Sequence, residues 1–168
     1  MTKLYLVRHG ETYDNLNRIM QGQTQGELTE KGIQQARELA EKLRLEPIDA
    51  FVSSDLRRAV DTCKLIIGQR KMAVTPTILL RERDWGDFTG RYIPDLQGEQ
   101  WPDNVETLER LAARAANFLT WVKVSWPHKT VLAVGHGIIN KAIQSVYFNR
   151  PMNQVLRMEN GEMRVLML

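Results

Sequence analysis

The stretch Lys3–Gly10, KLYLVRHG, decides the fold class of this 168-residue chain. It begins with a short β-type run and ends in Arg8, His9 and a glycine that favours a turn. A second stretch of the same kind, TVLAVGHG at residues 130–137, joins a near-continuous apolar run to another glycine-flanked histidine. Near-continuous apolar strands are typical of parallel sheets that are covered on both faces. The two stretches therefore predict an α/β protein.

The segment between them alternates strand and helix patterns. Thr29 is a predicted N-cap for a helix that Pro47 closes. Residues 48–52 form a second predicted strand, and Ser53–Asp55 are expected to cap a helix that runs to about Ile67. Helices that alternate with strands in this way are typical of βαβ units.

The rest of the chain continues this pattern. Residues 74–80 are strand-like but broken by Pro76, and residues 86–102 are an irregular region punctuated by glycine and proline. A long helix with an apolar face over 108–122 follows, and two short strands are predicted to end the chain. The whole chain, residues 1–168, is expected to form one domain, a three-layer α/β/α sandwich with a mostly parallel central sheet.

Composition and charge restrict the classes of function. The net charge is +3, and the basic residues are scattered, so a nucleic-acid partner is not indicated. No basic and apolar leader precedes the first strand and no apolar run could span a bilayer, so we expect a cytoplasmic protein without a membrane partner. The only cysteine, Cys63, is expected in the core and excludes an internal disulfide. The sequence leaves the oligomeric state open.

Side chains suited to phosphate chemistry stand where the predicted parallel strands end. In open α/β sheets, sites form beyond the carboxyl ends of the strands. Each side chain taken alone would be an ordinary structural or surface residue, and their shared position at these ends carries the hypothesis. They are Arg8 and His9, then Arg58 one turn into a helix, then Glu82, and finally His136.

This set of side chains has a clear chemical use. The guanidinium groups of Arg8 and Arg58 match phosphate oxygens. A neutral His9 can attack phosphorus, and His136 can stabilise the charge that develops on the equatorial oxygens. Glu82 is the expected proton donor to a leaving alkoxide.

Four motifs in this order resemble those of the histidine phosphatase superfamily, in the branch that includes cofactor-dependent phosphoglycerate mutases and related phosphatases. LVRHGET at 6–12, with Asn15, resembles the opening motif, and SSDLRRA at 53–59 resembles the second. LRERDWG at 80–86 resembles the segment that bears the acid, and VGHG at 134–137 resembles the last motif. The resemblance covers nearly the whole chain.

The resemblance implies roles that agree with this chemistry. His9 would be the nucleophile, Arg8, Arg58 and His136 would bind the phosphoryl group, and Glu82 would act first as acid and then as base. Neither a metal nor another cofactor is implied, and the partner would be a small phosphorylated substrate. The implied substrate contacts are Asn15, Gln21, Gly22, Arg83 and the backbone amide of Gly137.

One segment departs from the family pattern. Residues 91–104 are much shorter than the partly helical insertion that family members usually carry there, so we expect a reduced lid and a more open site. A mutase must keep water from its phosphorylated intermediate, so the short segment favours a phosphatase acting on a small metabolite. Mutase-type transfer is the alternative. A phosphoprotein phosphatase, which usually lacks an acid at the position of Glu82, and a non-catalytic phosphate-binding module rank lower.

Overall fold

The computed structural model describes residues Met1–Leu168, which build a single five-stranded sheet in the order β3-β2-β4-β1-β5. The first four strands are parallel, and β5 runs antiparallel to β1 at one edge. The mostly parallel sheet predicted from the sequence is therefore confirmed. The strands are β1 (Lys3–Arg8), β2 (Ala50–Ser54), β3 (Val74–Thr77), β4 (Thr130–Gly135) and β5 (Met163–Met167).

Helices cover both faces of this sheet. One apolar core joins α2 and α3 to the sheet, and a second core joins α4 and α5 to its other face. The three-layer sandwich is therefore confirmed, and no helix is both long enough and apolar enough to cross a membrane. The helices are α1 (Tyr13–Leu16), α2 (Glu30–Lys42), α3 (Arg57–Ile67), α4 (Leu108–Ser125) and α5 (Gly137–Phe148), with single 3₁₀ turns at Ile78–Leu80, Gly86–Phe88, Ile93–Leu96 and Met152–Gln154.

The sequence of the central strand β4 is apolar throughout because both faces of the strand are buried. Successive side chains of a strand point to opposite faces of the sheet. Val131 and Ala133 enter the core under α4 and α5, whereas Leu132 and Val134 enter the core under α2 and α3. All four side chains are fully buried, which is the burial that a continuous apolar strand predicts.

The helix boundaries differ from prediction at two points. Thr29 caps α2 as predicted, because its hydroxyl accepts from the backbone of Gly32, but the helix ends at Lys42, well before the predicted stop at Pro47. The predicted cap of α3 by Ser53–Asp55 is wrong. The N-cap is Leu56, which has no side-chain acceptor to offer.

The strand predictions also need correction. The second strand is shifted by two residues, and Pro76 lies within β3, which tolerates proline because it is an edge strand. β3 stops at Thr77, whose hydroxyl accepts from the backbone of Leu79 and starts a 3₁₀ turn. Only β5 ends the chain, because the residues after Pro151 form a 3₁₀ turn and not the first of two strands.

The topology brings five chain segments together at one end of the strands. The carboxyl ends of the parallel strands β1, β2, β3 and β4 meet there. Because β5 is antiparallel to β1, with Met163 opposite Val7, β5 begins at the end of the sheet where β1 finishes. The residues before β5 therefore arrive beside those that follow β1.

Candidate active site

A cavity of about 270 Å³ opens at the carboxyl ends of the parallel strands. The predicted site residues that line it are Arg8, His9, Asn15, Gln21, Gly22, Arg58 and Glu82. The rest of its lining is Ile19, Met20, Trp85, Ile93, Ile138 and Arg157. The cavity thus combines charged and imidazole groups with apolar walls, and one cation in it, Arg157, was not predicted.

His9 is held in one tautomer. Its Nδ1 lies 2.6 Å from the carbonyl oxygen of Gly10, and because a carbonyl can only accept, Nδ1 carries the proton. Burial, together with the charges of Arg58 and Arg8, holds the pKa of His9 well below 6.5. The imidazole is therefore neutral near pH 7, and its Nε2 keeps a lone pair.

His136 lies directly beside His9. The ring centroids are 5.0 Å apart, and His136 is fully buried. The pKa of His136 is held well below 6.5, mainly by burial and next by the positive charge of Arg58. Neither ring nitrogen has a hydrogen-bond partner within the protein. A neutral imidazole carries one N–H, so His136 has a donor to offer to a bound anion.

Arg8 and Arg58 are buried cations with spare donors. Arg8 donates from Nη1 to the carbonyl of Met158 at 2.7 Å, and Arg58 donates from Nη2 to the carbonyl of Gly22 at 2.7 Å. The Nε of each has no partner. Burial lowers the pKa of both to about 10, so both remain charged near pH 7. Buried donors without acceptors are rare in proteins, and their concentration here makes this cavity a candidate anion site.

Glu82 is fixed by backbone amides. Its Oε1 accepts from Arg83 at 2.8 Å and from Ile139 at 3.0 Å, and its Oε2 accepts from Ile138 at 3.1 Å. A carboxylate oxygen has two lone-pair positions. Oε1 is therefore saturated, whereas Oε2 keeps one position at which a proton can be carried.

Arg81 and Arg83, which flank the acid, do not pair with it. Arg81 binds the carboxylate of Asp55 through two hydrogen bonds of 2.7 and 2.6 Å. Arg83 donates to the carbonyl of Glu106, and its guanidinium carbon lies 4.7 Å from the centre of the Trp85 ring. The structure therefore places Arg83, a predicted substrate contact, against the cavity wall and not in the cavity lining.

Two predicted contacts present amide groups. The Oδ1 of Asn15 accepts from the backbone of Thr12 at 3.1 Å and from the side chain of Asn160 at 3.2 Å. The Oε1 of Gln21 accepts from the hydroxyl of Thr12 at 2.9 Å. The Asn15 oxygen has both lone-pair positions occupied, so its NH₂ group is the part that can bind a molecule in the cavity. Gln21 offers its NH₂ group and the remaining acceptor position of its oxygen. Gly22 lines the cavity and holds Arg58 through its carbonyl.

The segment 157–161 belongs to the site although no motif includes it. Besides the Met158 carbonyl that holds Arg8, Asn160 donates to the carbonyl of His9 at 3.2 Å and Gly161 donates to that of Arg8 at 3.0 Å. No local sequence pattern reveals this segment, because its position depends on β5 running antiparallel to β1.

Gly137 stands behind the cavity, between two arginines. A Cβ atom at Gly137 would lie 3.2 Å from Nε of Arg157 and 3.3 Å from Cζ of Arg8. The predicted contact Gly137 is thus close to the site, although it is not part of the cavity lining. No group of three or more His, Cys, Asp or Glu side chains is placed to hold a metal ion.

Comparison with known proteins identifies relatives along almost the whole chain. Residues 4–168 match the family model of the histidine phosphatase superfamily (branch 1). The "Uncharacterized phosphatase PhoE" of Bacillus subtilis (strain 168) is 35% identical over 166 residues, which cover 96% of this chain and 86% of that protein. The "Probable phosphoglycerate mutase GpmB" of Proteus mirabilis (strain HI4320) is 34% identical over 165 residues, which cover 90% and 77%.

A solved structure extends the likeness to three dimensions. The mycobacterial glucosyl-3-phosphoglycerate phosphatase, solved with VO3, superposes with a TM-score of 0.89 at 30% identity. The superposition covers 98% of this chain and 92% of that one. Since the family model, the sequence relatives and the fold agree, this chain belongs to the histidine phosphatase superfamily (branch 1) and is a phosphatase of that type.

Proposed function

We propose that this phosphatase hydrolyses small phosphomonoesters in two steps, through a phosphohistidine on His9 and without a metal ion. The state of His9 carries the proposal: the imidazole is neutral, Nδ1 is bound to Gly10, and Nε2 is free to attack. The unpartnered nitrogens of Arg8, Arg58 and His136 supply donors for the phosphoryl oxygens.

In the first step, Nε2 of His9 forms a bond to phosphorus while the ester P–O bond breaks. Arg8 and Arg58 balance the charge of the phosphoryl group, and His136 donates to an equatorial oxygen. Glu82 transfers the proton on Oε2 to the leaving alkoxide, which departs as an alcohol. The site then holds phosphohistidine and an ionised Glu82.

In the second step, water attacks the phosphorus. Glu82 accepts a proton from the water, the P–N bond breaks, and its electron pair returns to Nε2 of His9. Inorganic phosphate is released with Glu82 protonated again, so both residues are restored for the next cycle.

The size of the cavity supports a small metabolite as substrate. Its volume of about 270 Å³ is close to the lower end of the roughly 300–1,000 Å³ range of small-molecule pockets. Such a space accommodates a phosphoryl group and a short leaving group. The solved mycobacterial relative is named for a small phosphorylated metabolite, glucosyl-3-phosphoglycerate.

Mutase-type phosphoryl transfer is the second candidate, favoured by the similarity to GpmB. It requires that water be kept from the intermediate. Residues 91–104 contribute only Ile93 to the cavity lining. This short segment is tied down, because Met20 donates to the carbonyl of Arg91 at 2.9 Å and Ile93 donates to that of Arg18 at 2.8 Å. Because this segment covers so little of the cavity, it supports hydrolysis over mutase-type phosphoryl transfer.

The test is phosphate release from a broad panel of phosphomonoesters in excess chelator. His9→Ala is the inactive variant, and His128→Ala is its matched control, because His128 is an exposed histidine bonded only to the chain's N-terminus. We expect release by the wild type and by His128→Ala, and none by His9→Ala. Rapid quenching with a ³²P-labelled substrate should trap an acid-labile, alkali-stable label in the wild type.

Other outcomes would contradict separate parts of the proposal. Activity that the chelator abolishes would contradict metal independence. Conversion of 3-phosphoglycerate in the presence of catalytic 2,3-bisphosphoglycerate, without release of phosphate, would identify a mutase. Absence of release from every small ester would contradict the substrate class and leave a phosphoprotein phosphatase or a binding module.

A further inference from the structure

Arg157 is a cation in the cavity that its own chain leaves unused. It lines the cavity and is exposed, yet its guanidinium forms no ion pair or hydrogen bond with the protein. Other arginines of the chain are paired with carboxylates, among them Arg81 with Asp55 and Arg114 with Glu106. Arg157 therefore has all its donors available to a ligand.

Arg157 is held beside another cation. Its charge is the second cause, after burial, that lowers the pKa of Arg8, and it also lowers the pKa of His9. The next residue, Met158, is anchored, because its carbonyl accepts from Arg8 at 2.7 Å. The backbone thus places Arg157 where like-charge repulsion is unfavourable, and a bound anion would offset that repulsion.

The charges at the proposed first step do not balance with a simple phosphomonoester. His9 and His136 are neutral, and Glu82 carries its proton when it acts as an acid. Arg8 and Arg58 match the two negative charges of the phosphoryl group. Glu159 and Glu162, whose charges act on Arg8, are not part of the cavity lining, so no carboxylate inside the cavity is left to pair with the positive charge of Arg157.

We propose that Arg157 binds a carboxylate on the leaving group, so that the enzyme selects phosphorylated hydroxy acids among phosphomonoesters. A guanidinium fork matches a carboxylate through two parallel hydrogen bonds. One spare cation suits a carboxylate, with its single charge, better than a second phosphate with two. This inference rests on the proposed function, because it assumes that the phosphoryl group lies at His9.

The remaining lining of the cavity supports a carboxylate over a sugar. Beyond the phosphoryl-binding groups and Glu82, the polar side chains available to a leaving group are Asn15, Gln21 and Arg157. A sugar ring has several hydroxyl groups, and each would need a hydrogen-bond partner when buried. The other lining side chains are Ile19, Met20, Trp85, Ile93 and Ile138, and among them only Trp85 carries a hydrogen-bonding group, its indole N–H.

Equilibrium binding to the catalytically silent His9→Ala protein tests the inference without turnover. The two probes are 2-phosphoglycolate and 2-hydroxyethyl phosphate, which differ in the group that would face Arg157. Calorimetry should show tighter binding of phosphoglycolate by roughly tenfold or more, as expected for hydrogen bonds between charged groups. Adding Arg157→Gln should remove that preference, and Arg157→Lys should retain part of it.

Arg150→Gln is the matched control. Arg150 is an exposed arginine in the same stretch before β5, and its guanidinium lies over the ring of Phe148. We expect this variant to keep the full preference for phosphoglycolate. Loss of the preference in Arg150→Gln would show that general surface charge produces it, which would overturn the specific role of Arg157.

Two other results would overturn the inference: equal binding of both probes by His9→Ala, or an equal loss of both in Arg157→Gln. The turnover of p-nitrophenyl phosphate by the wild type separates this test from the proposed function. Hydrolysis without any carboxylate preference would refute the role of Arg157 alone. A carboxylate preference in binding without hydrolysis of any ester would refute the proposed function and keep the anion site.

Discussion

Ile139 donates its backbone N–H to Oε1 of Glu82 at 3.0 Å, so the proposed acid is attached to the first turn of α5. Ile138 adds a second bond to Oε2. The N-cap residue of α5, His136, forms no side-chain cap of its own. Glu82 therefore satisfies amides that a cap would otherwise bind. The proposed proton donor also stabilises the helix that follows His136.

Replacing Glu82 by glutamine should separate substrates by their leaving groups. Glutamine has no proton to give, so phosphorylation of the enzyme by alkyl phosphates should slow by about 100-fold or more. p-Nitrophenyl phosphate should lose far less, because nitrophenolate leaves without protonation. Single-turnover measurements of the first step avoid interference from the second, in which Glu82 is the base. Equal losses on both ester classes would contradict the role of general acid.

Removing the Glu82 side chain should cost stability as well as activity. Glu82→Ala leaves the amides of Ile138 and Ile139 without their acceptor, and loss of a helix cap costs about 0.5–2 kcal/mol of unfolding free energy. Glu82→Gln keeps one acceptor oxygen and should lose less. Urea unfolding monitored by circular dichroism provides the comparison. If the alanine variant matched the wild type, the capping role would be refuted.

The positions of the main site residues follow from local sequence. One strand leads into Arg8-His9 and another leads into His136. If the strands are parallel, their carboxyl ends lie at the same end of the sheet, so these residues come together there. Glu82 comes after the β3 region, and it lies at the same end of the sheet because β3 is parallel to its neighbour. In each case the side chain lies within a few residues of a strand end, so the strand pattern alone predicts its neighbourhood.

Other contacts depend on packing that local patterns do not reveal. Arg157 reaches the cavity only because β5 turns out to be antiparallel to β1. Arg83 was predicted in the site, yet its guanidinium carbon lies 5.2 Å from the centre of the Trp101 ring, which comes from a segment without regular structure. Arg114 lies in the middle of α4 and no motif singles it out.

Arg114 is predicted to position the acid. It forms an ion pair with Glu106 at 2.7 Å and donates to the carbonyls of Leu79, Arg81 and Glu82. Arg114→Lys keeps the charge, but an ammonium group cannot make all these bonds at once. Because Glu82 would be misplaced, kcat for alkyl phosphates should fall by roughly tenfold with KM little changed.

Two comparisons separate this positioning role from a general loss of structure. Aryl phosphates should be affected less than alkyl phosphates by Arg114→Lys, as they should be by Glu82→Gln. Arg110→Lys, an exposed change on the same helix, should leave both rates unchanged. A uniform loss on both ester classes, or a rise in KM alone, would show that Arg114 does not act through Glu82.

The buried histidines should make the protein less stable in mild acid. His9 and His136 have pKa values well below 6.5 in the folded state, whereas both titrate near 6.5 in the unfolded chain. Below pH 6.5 the unfolded chain therefore binds more protons, and unfolding becomes easier as the pH falls. Each histidine contributes a slope of up to ~1.4 kcal/mol per pH unit. Urea unfolding from pH 7.5 to 5, in buffer without phosphate, should show a shallower slope for the double variant His9→Gln/His136→Gln. An unchanged slope in the double variant would exclude these histidines as its cause.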